Sequence, residues 1–113
     1  MRKPNFGIQI EPQYGFSYDA IKEIAVFSER SGLESIWVSD HFFLTPELPN
    51  TPSLECWTTL TALSRDTNDI RLGAMVTSQS YRNPALLAKM AASLDNISGG
   101  RLNFGIGTGW KKV

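Results

Sequence analysis

The sequence predicts an α/β fold in which parallel strands alternate with helices. Four short apolar runs, each bounded by polar or turn residues, are typical of buried strands in a parallel sheet: residues 6–10, 35–38, 70–76 and 102–106. Three segments with helical patterns lie between them, and this alternation predicts right-handed crossovers. We therefore expect four parallel strands in the order 1-2-3-4, with the three helices on one outer face.

Each predicted helix follows a polar residue that can accept hydrogen bonds from its first free amides. These residues and their helices are Ser17 before residues 18–31, Ser53 before residues 54–65, and Asn83 before a third helix that starts at Pro84. The third pattern is the clearest, because apolar residues repeat there at i, i+3, i+4 and i+7 behind a proline at the first helical position.

The length of the chain suggests a fragment of a larger barrel. A chain of 113 residues is one domain or a piece of one, and an eight-stranded (β/α)₈ barrel typically needs about 250 residues. We interpret residues 1–113 as a single-domain fragment, the N-terminal half of a TIM (β/α)₈ barrel.

Composition excludes several classes of function. Eleven basic residues balance eleven acidic ones, so the basic surface of a nucleic-acid-binding protein is not expected. Cys56 is the single cysteine, which excludes an internal disulfide and a Cys/His zinc cluster, and we expect it to be a small buried side chain. No run approaches the roughly 20 apolar residues of a membrane span. We expect a cytoplasmic protein without a metal ion.

The first candidate site is the dipeptide Asp40-His41, directly after the second predicted strand. His41 is the single histidine, and an imidazole can donate or accept a proton near pH 7. Ligands of α/β proteins sit at the carboxyl ends of parallel strands, where this dipeptide falls. The alternative is that Asp40 caps a turn and His41 is an ordinary, half-exposed loop residue.

Two other segments follow the third and fourth strands. Residues 77–82 combine hydroxyls, an amide and the guanidinium of Arg82, which suits recognition of phosphate or carboxylate, although a solvated loop is the alternative. Residues 105–109 contain three glycines, whose backbone can approach an anion or a flat ring. Close packing inside a barrel would explain the same glycines.

Five segments of the chain, taken together, match a known family. They are residues 35–42, 72–84, 88–95, 98–101 and 105–110. With these segments in this order, the chain resembles the luciferase-like monooxygenase superfamily of flavin and deazaflavin oxidoreductases, in particular the branch that uses coenzyme F420.

The resemblance implies a (β/α)₈ barrel with the cofactor ring at the carboxyl ends of the strands. It places Asp40 against the deazaflavin and His41, as the catalytic residue, near the reacting carbon. A non-prolyl cis peptide bond is implied under the ring, between Met75 and Val76. The cofactor-binding residues implied in all are Asp40, Met75, Val76, Ser78, Thr108 and Gly109.

Trp110 departs from part of that branch. Some of its sugar-phosphate dehydrogenases have a carboxylic acid after the Thr-Gly pair, where this chain has Trp110. The departure argues against their proton-transfer scheme and therefore against their substrate.

Three functions follow from these observations. The first is hydride transfer between coenzyme F420 and a small organic substrate, and the second is an FMN-dependent monooxygenase that uses reduced flavin and O₂ on the same barrel. The third is an inactive, truncated half-barrel. We expect a homodimer for the full-length protein.

Overall fold

The computed structural model describes residues 1–109. Three α-helices, one short 3-10 helix (Pro12–Tyr14) and six short strands make up this part of the chain. The α-helices are α1 (Tyr18–Arg30), α2 (Cys56–Asp66) and α3 (Pro84–Ile97). The strands are β1 (Gly7–Ile10), β2 (Ser35–Val38), β3 (Arg71–Ala74), β4 (Thr77–Ser78), β5 (Leu102–Asn103) and β6 (Ile106–Gly107).

The main sheet confirms the predicted topology. Its four strands are parallel and lie in the order β1-β2-β3-β5, so neighbours in the sheet follow one another along the chain. Helix α2 packs against both α1 and α3 as well as against β2 and β3. Because helices on opposite faces of a sheet could not contact each other, the three helices share one face.

The third and fourth predicted strands are each divided in two. The main sheet contains β3 and β5, while β4 and β6 pair in parallel as a second, two-stranded sheet. The backbone hydrogen bonds that hold this second sheet include those from Thr77 N to Gly105 O at 2.9 Å and from Gln79 N to Gly107 O at 3.2 Å. The second sheet extends the structure beyond the carboxyl ends of the main strands.

One face of the main sheet forms the core with the helices, and the other face is open. Ile36, Val38 and Leu72 point toward the helices and are completely buried. The register places Trp37, Gly73 and Asn103 side by side on the opposite face, together with polar residues. Within residues 1–109, the helices therefore close one face of the sheet and leave the other uncovered.

The predicted caps are correct for two helices and wrong for the third. Ser17 accepts a hydrogen bond from Ala20 N, and Asn83 accepts one from Ala85 N. Helix α2 begins at Cys56, and its cap is Glu55 rather than Ser53. The Ser53 hydroxyl instead donates to the carbonyl oxygen of His41 at 2.9 Å, so a contact within the preceding loop has taken the predicted capping group.

Cys56 is the small buried side chain that was predicted. It is 1 % exposed, and its thiol donates to the carbonyl oxygen of Val38 at 3.4 Å. Burial, with the nearby Asp40 and Glu55 charges, raises the pKa of this thiol well above its ordinary value. A group of this kind packs and does not react. Within residues 1–109, the helices are too short and too polar for any of them to span a membrane.

Candidate functional site

A cleft of about 250 Å³ opens where the strands end. Side chains and backbone from the second, third and fourth strand-to-helix segments line it: Asp40, His41, Val76, Ser78, Tyr81, Gly107, Thr108 and Gly109. Six of the seven residues assigned to the site from the sequence are in this set. Parallel strands bring these segments together, because their carboxyl ends meet at one edge of the sheet.

Met75 is the seventh predicted residue, and it does not line the cleft. It precedes Val76 between β3 and β4, and the peptide bond that joins the two residues is cis, as the resemblance implied. The Met75 side chain is exposed, and its amide donates to the Val38 carbonyl oxygen at 2.9 Å. Binding roles for all seven residues stay predictions.

Asp40 lies at the base of the cleft with its carboxylate held by the protein. The residue is 2 % exposed. Arg82 donates two hydrogen bonds to it, from Nη1 to Oδ2 at 2.6 Å and from Nη2 to Oδ1 at 2.9 Å, and Ser78 N donates to Oδ2 at 2.9 Å. Both oxygens of Asp40 therefore already have partners, and its clearest role is to join the end of β2 to β4 and Arg82.

Arg82 bridges two carboxylates and is not a free ligand for phosphate. Its side chain is 8 % exposed, and Nη2 also donates a short hydrogen bond to Glu55 Oε2. Burial alone would lower the pKa of this guanidinium, but hydrogen bonds from it to Asp40 and Glu55, and their charges, outweigh burial and raise the pKa. Arg82 is therefore charged at every accessible pH. Neither interpretation of residues 77–82, as a phosphate- or carboxylate-recognition segment or as a solvated loop, predicted that Arg82 pairs with Asp40 and Glu55.

Glu55 serves the helix and the cleft at once. Its two carboxylate oxygens accept hydrogen bonds from Trp57 N at 3.0 Å and Thr58 N at 2.7 Å, which caps α2. Burial alone would raise the pKa of Glu55, but the hydrogen bonds from Thr58, Trp57 and Arg82 outweigh burial and lower it. Glu55 is therefore ionised at neutral pH. No local pattern in the sequence indicates the contact between Glu55 and Arg82.

His41 lies on the rim of the cleft, at the start of the loop that joins β2 to α2. It is half-buried, and its carbonyl oxygen is held by Ser53. The ring of the next residue, Phe42, stacks on the ring of Tyr81 with centroids 4.0 Å apart and an interplanar angle of 22°. Burial, followed by the Asp40 charge, raises the pKa of the Tyr81 hydroxyl. Tyr81 was not assigned to the site from the sequence, because its aromatic partner Phe42 is 39 residues away and no local pattern links the two rings.

Each glycine of residues 105–109 either packs closely against a neighbour or has a backbone conformation that suits glycine. A Cβ at Gly105 would lie 2.3 Å from the Ala74 oxygen, and one at Gly107 would lie 2.6 Å from Cγ2 of Val76. Gly109 has a φ of +82°, a left-handed conformation that suits glycine. The packing alternative is thus correct for Gly105 and Gly107. The same packing leaves Val76 47 % exposed as an apolar wall of the cleft.

Two other features considered in the sequence analysis are Trp110 and a metal site. Trp110 lies outside the described residues. Among residues 1–109, no cluster of three or more His, Cys, Asp or Glu side chains has an arrangement that could hold a metal ion.

Comparison with known proteins shows the family. Residues 5–113 match the sequence profile of the luciferase-like monooxygenase family. The chain is 35 % identical over 107 residues to 5,10-methylenetetrahydromethanopterin reductase of Methanolobus tindarius, an alignment that covers 92 % of this chain and 28 % of that relative. The chain thus spans little more than a quarter of the length of this curated relative.

Two solved structures are similar to the chain. The coenzyme F420-dependent tetrahydromethanopterin reductase of Methanopyrus kandleri superposes with a TM-score of 0.79 at 31 % identity, covering 93 % of this chain and 27 % of that one. The FMN-bound oxygenating constituent of 3,6-diketocamphane monooxygenase from Pseudomonas putida superposes with a TM-score of 0.78 at 26 % identity, covering 95 % and 30 %.

These likenesses agree with the order of the strands and the single layer of helices. They also confirm that the structure is part of a TIM-barrel-like enzyme fold. The relatives include both F420-dependent oxidoreductases and flavin monooxygenases. The chain belongs to the luciferase-like monooxygenase family, a family of enzymes.

Proposed function

We propose that the protein is an oxidoreductase that transfers a hydride between coenzyme F420 and a small organic substrate. In this proposal, residues 1–109 supply the part of the site that faces the deazaflavin ring. The observation that carries the proposal is the make-up of the cleft. An exposed apolar side chain, Val76, stands beside glycine backbone, while His41, Ser78 and Thr108 add polar groups to the lining and Asp40 lies at the base.

The residues of the cleft fit a planar ring. A flat ring needs an apolar surface beneath it and hydrogen-bonding groups at its edge, which Val76 and the polar residues of the lining offer. The cleft of about 250 Å³ is smaller than ligand pockets, which commonly have about 300–1,000 Å³. It therefore suits part of a cofactor, with the remainder bound by residues beyond those described.

Each residue of the cleft has a distinct part in the proposal. Val76 would contact the face of the ring and Met75 would support Val76, while Ser78, Thr108 and Gly109 would hold the ring edge or the phosphate tail. The chemistry that the bound deazaflavin supplies is hydride transfer at its reactive carbon. His41 would donate or accept the proton that accompanies the hydride at the substrate.

An FMN-dependent monooxygenase is the second candidate. It is supported by the likeness to the FMN-bound oxygenating constituent from Pseudomonas putida. The apolar wall and polar lining of the cleft suit an isoalloxazine as well as a deazaflavin. Asp40-His41 and the 105–110 segment, which resemble the F420 branch, favour the first candidate.

The experiment that tests the proposal is a cofactor titration of the complete protein. Coenzyme F420 and FMN are added separately, and quenching of the fluorescence of each cofactor is followed. We expect micromolar binding of coenzyme F420 and weaker binding of FMN. The reverse order would favour the monooxygenase, and binding of neither cofactor would contradict both candidates.

A matched pair of variants locates the binding. Val76→Glu places a charge on the apolar wall and is expected to weaken binding of coenzyme F420 at least tenfold, since an unpaired charge beside an apolar ring is costly. Ile97→Glu makes the same change at an exposed position at the far end of α3 and should leave binding unchanged. Equal affinity in both variants would place the cofactor elsewhere.

A further inference from the structure

The loop that carries His41 is held at both of its ends by one side chain. Residues 41–54 connect Asp40, at the end of β2, to Glu55, the cap of α2. Arg82 donates hydrogen bonds to both flanking carboxylates, to Asp40 at 2.6 and 2.9 Å and to Glu55 by the short contact described above. A single guanidinium thus fixes where this loop leaves the sheet and where it enters the helix.

Both carboxylates are themselves hydrogen-bonded to backbone amides, so the Arg82 bridge fixes the two ends of the loop relative to β4 and α2. Asp40 Oδ2 accepts from Ser78 N of β4, and Glu55 accepts from the first amides of α2. Arg82 stands just before α3 and joins these two anchored ends to a third segment. A planar guanidinium with five donors can satisfy two carboxylates at once, which a lysine ammonium matches poorly.

Two further contacts of loop residues also restrain the loop. The Ser53 hydroxyl donates to the His41 carbonyl oxygen and closes the loop near its ends. Phe42 stacks on Tyr81, the residue next to Arg82 in sequence. The segment of residues 81–82 therefore holds the loop through one ionic bridge and one aromatic contact, on both sides of His41.

We infer that Arg82 is a positioning residue that, together with Glu55, clamps the loop of residues 41–54 and sets His41 at the rim of the cleft. The inference rests on the proposed function for its consequence in cofactor binding. Its structural part, the clamp on the loop, can be measured without any cofactor. Arg82 itself lies beneath the cleft and acts through Asp40 and the loop.

The test uses Arg82→Lys in the complete protein, with Arg30→Lys as the matched control at an exposed position of α1. Hydrogen–deuterium exchange is measured for the loop of residues 41–54 and for α1 and α3. We expect loop amides to exchange about tenfold faster in Arg82→Lys, because local opening needs less free energy once the bridge is weakened. Exchange in α1 and α3 should be unchanged.

A second variant covers the case in which Arg82→Lys fails to fold. Glu55→Gln keeps an oxygen that can cap α2 but offers Arg82 an amide in place of a carboxylate. We expect the same selective increase of loop exchange, with a smaller amplitude. Unchanged loop exchange in the variants that fold would overturn the inference.

Cofactor titrations separate the inference from the proposed function. If wild-type protein binds coenzyme F420 or FMN, Arg82→Lys should raise the Kd of that cofactor at least fivefold. The melting temperature of Arg82→Lys should stay close to that of Arg30→Lys. Faster amide exchange in residues 41–54 with an unchanged Kd would show that the clamp does not contribute to cofactor binding. Wild-type protein that binds neither cofactor would refute the proposed function, and loop exchange would still decide whether Arg82 is a clamp.

Discussion

The indole ring of Trp37 lies directly over Gly73 of the neighbouring strand. A Cβ built on Gly73 would lie 2.7 Å from Cζ3 of Trp37 and 2.6 Å from the carbonyl oxygen of Asn103. The indole nitrogen donates to Ser35 Oγ at 3.0 Å, which fixes the orientation of the ring. The open face of the sheet is therefore closely packed across three strands, although no helix among residues 1–109 covers it.

Gly73→Ala is expected to destabilise the protein by about 1–3 kcal/mol, because the added methyl group must displace an aromatic ring and a backbone oxygen. Urea denaturation of the complete protein measures the change. In a double-mutant cycle, Trp37→Leu should remove part of the cost by removing the ring. Additive effects of the two substitutions would show that the ring is not the obstacle.

Glu29→Gln tests an anchor at the opposite end of the sheet. Glu29 Oε2 accepts hydrogen bonds from the amides of Asn68, Asp69 and Ile70 at 2.9, 2.7 and 2.9 Å. We expect a loss of about 1–3 kcal/mol, typical of hydrogen bonds to a charged group. Glu23→Gln, an exposed position on the same helix, is the matched control and should change stability little.

The same carboxylate predicts a pH dependence. Partial burial alone would raise the pKa of Glu29, but the three amide hydrogen bonds and the Arg101 charge outweigh it and lower the pKa from its ordinary 4.5. A lowered folded-state pKa contributes stability that is present above the unfolded-state value and is lost as pH falls through the folded-state value. The stability difference between wild type and Glu29→Gln should therefore shrink below about pH 4.5. A constant difference down to pH 3 would contradict this.

His41→Ala is expected to lower kcat far more than it weakens cofactor binding. General acid–base groups typically contribute about 10²–10⁴-fold to the rate, or about 3–5 kcal/mol of barrier. Steady-state kinetics of the complete enzyme, with a separate cofactor titration, make the comparison. A kcat within threefold of wild type would show that His41 is an ordinary loop residue.

Asp40→Asn is the companion to that experiment. The family resemblance implied that Asp40 contacts the cofactor, so its removal should act mainly on affinity. The structure adds that Asp40 is bonded to Arg82 and Ser78, so Asn, which has the same shape, perturbs the fold less than Ala. We expect a Kd for the cofactor raised several-fold with a smaller change in kcat. A selective loss of kcat would assign Asp40 to the chemistry instead.

Gly107→Ala tests the apolar wall of the cleft. The new methyl group would lie 2.6 Å from Cγ2 of Val76 and should push that side chain into the space proposed for the ring. We expect weaker cofactor binding with little loss of stability, since Val76 is 47 % exposed and has room to move. Adding Val76→Ala should restore part of the affinity, because it removes the crowded methyl groups. No recovery would point to a backbone effect at Gly107.

The sequence alone determined the order of the main elements and two of the three helix starts. Alternating apolar runs are local signals, and so are the caps at Ser17 and Asn83, whose hydrogen bonds reach only two or three residues along the chain. The site residues that follow strand ends were also predictable, because parallel strands place those ends at one edge. These features depend on neighbours in sequence or on the topology that the alternation implies.

Only the tertiary structure decided which polar groups are partners. Arg82 finds Asp40 and Glu55 across 42 and 27 residues of chain, and no local pattern records such a contact. Ser53 fails as a cap because its hydroxyl meets the His41 carbonyl, which leaves Glu55 to cap α2. A buried charge must find an opposite charge wherever folding brings one, so the partners at the base of the cleft are set by the approach of β2, α2 and the segment before α3.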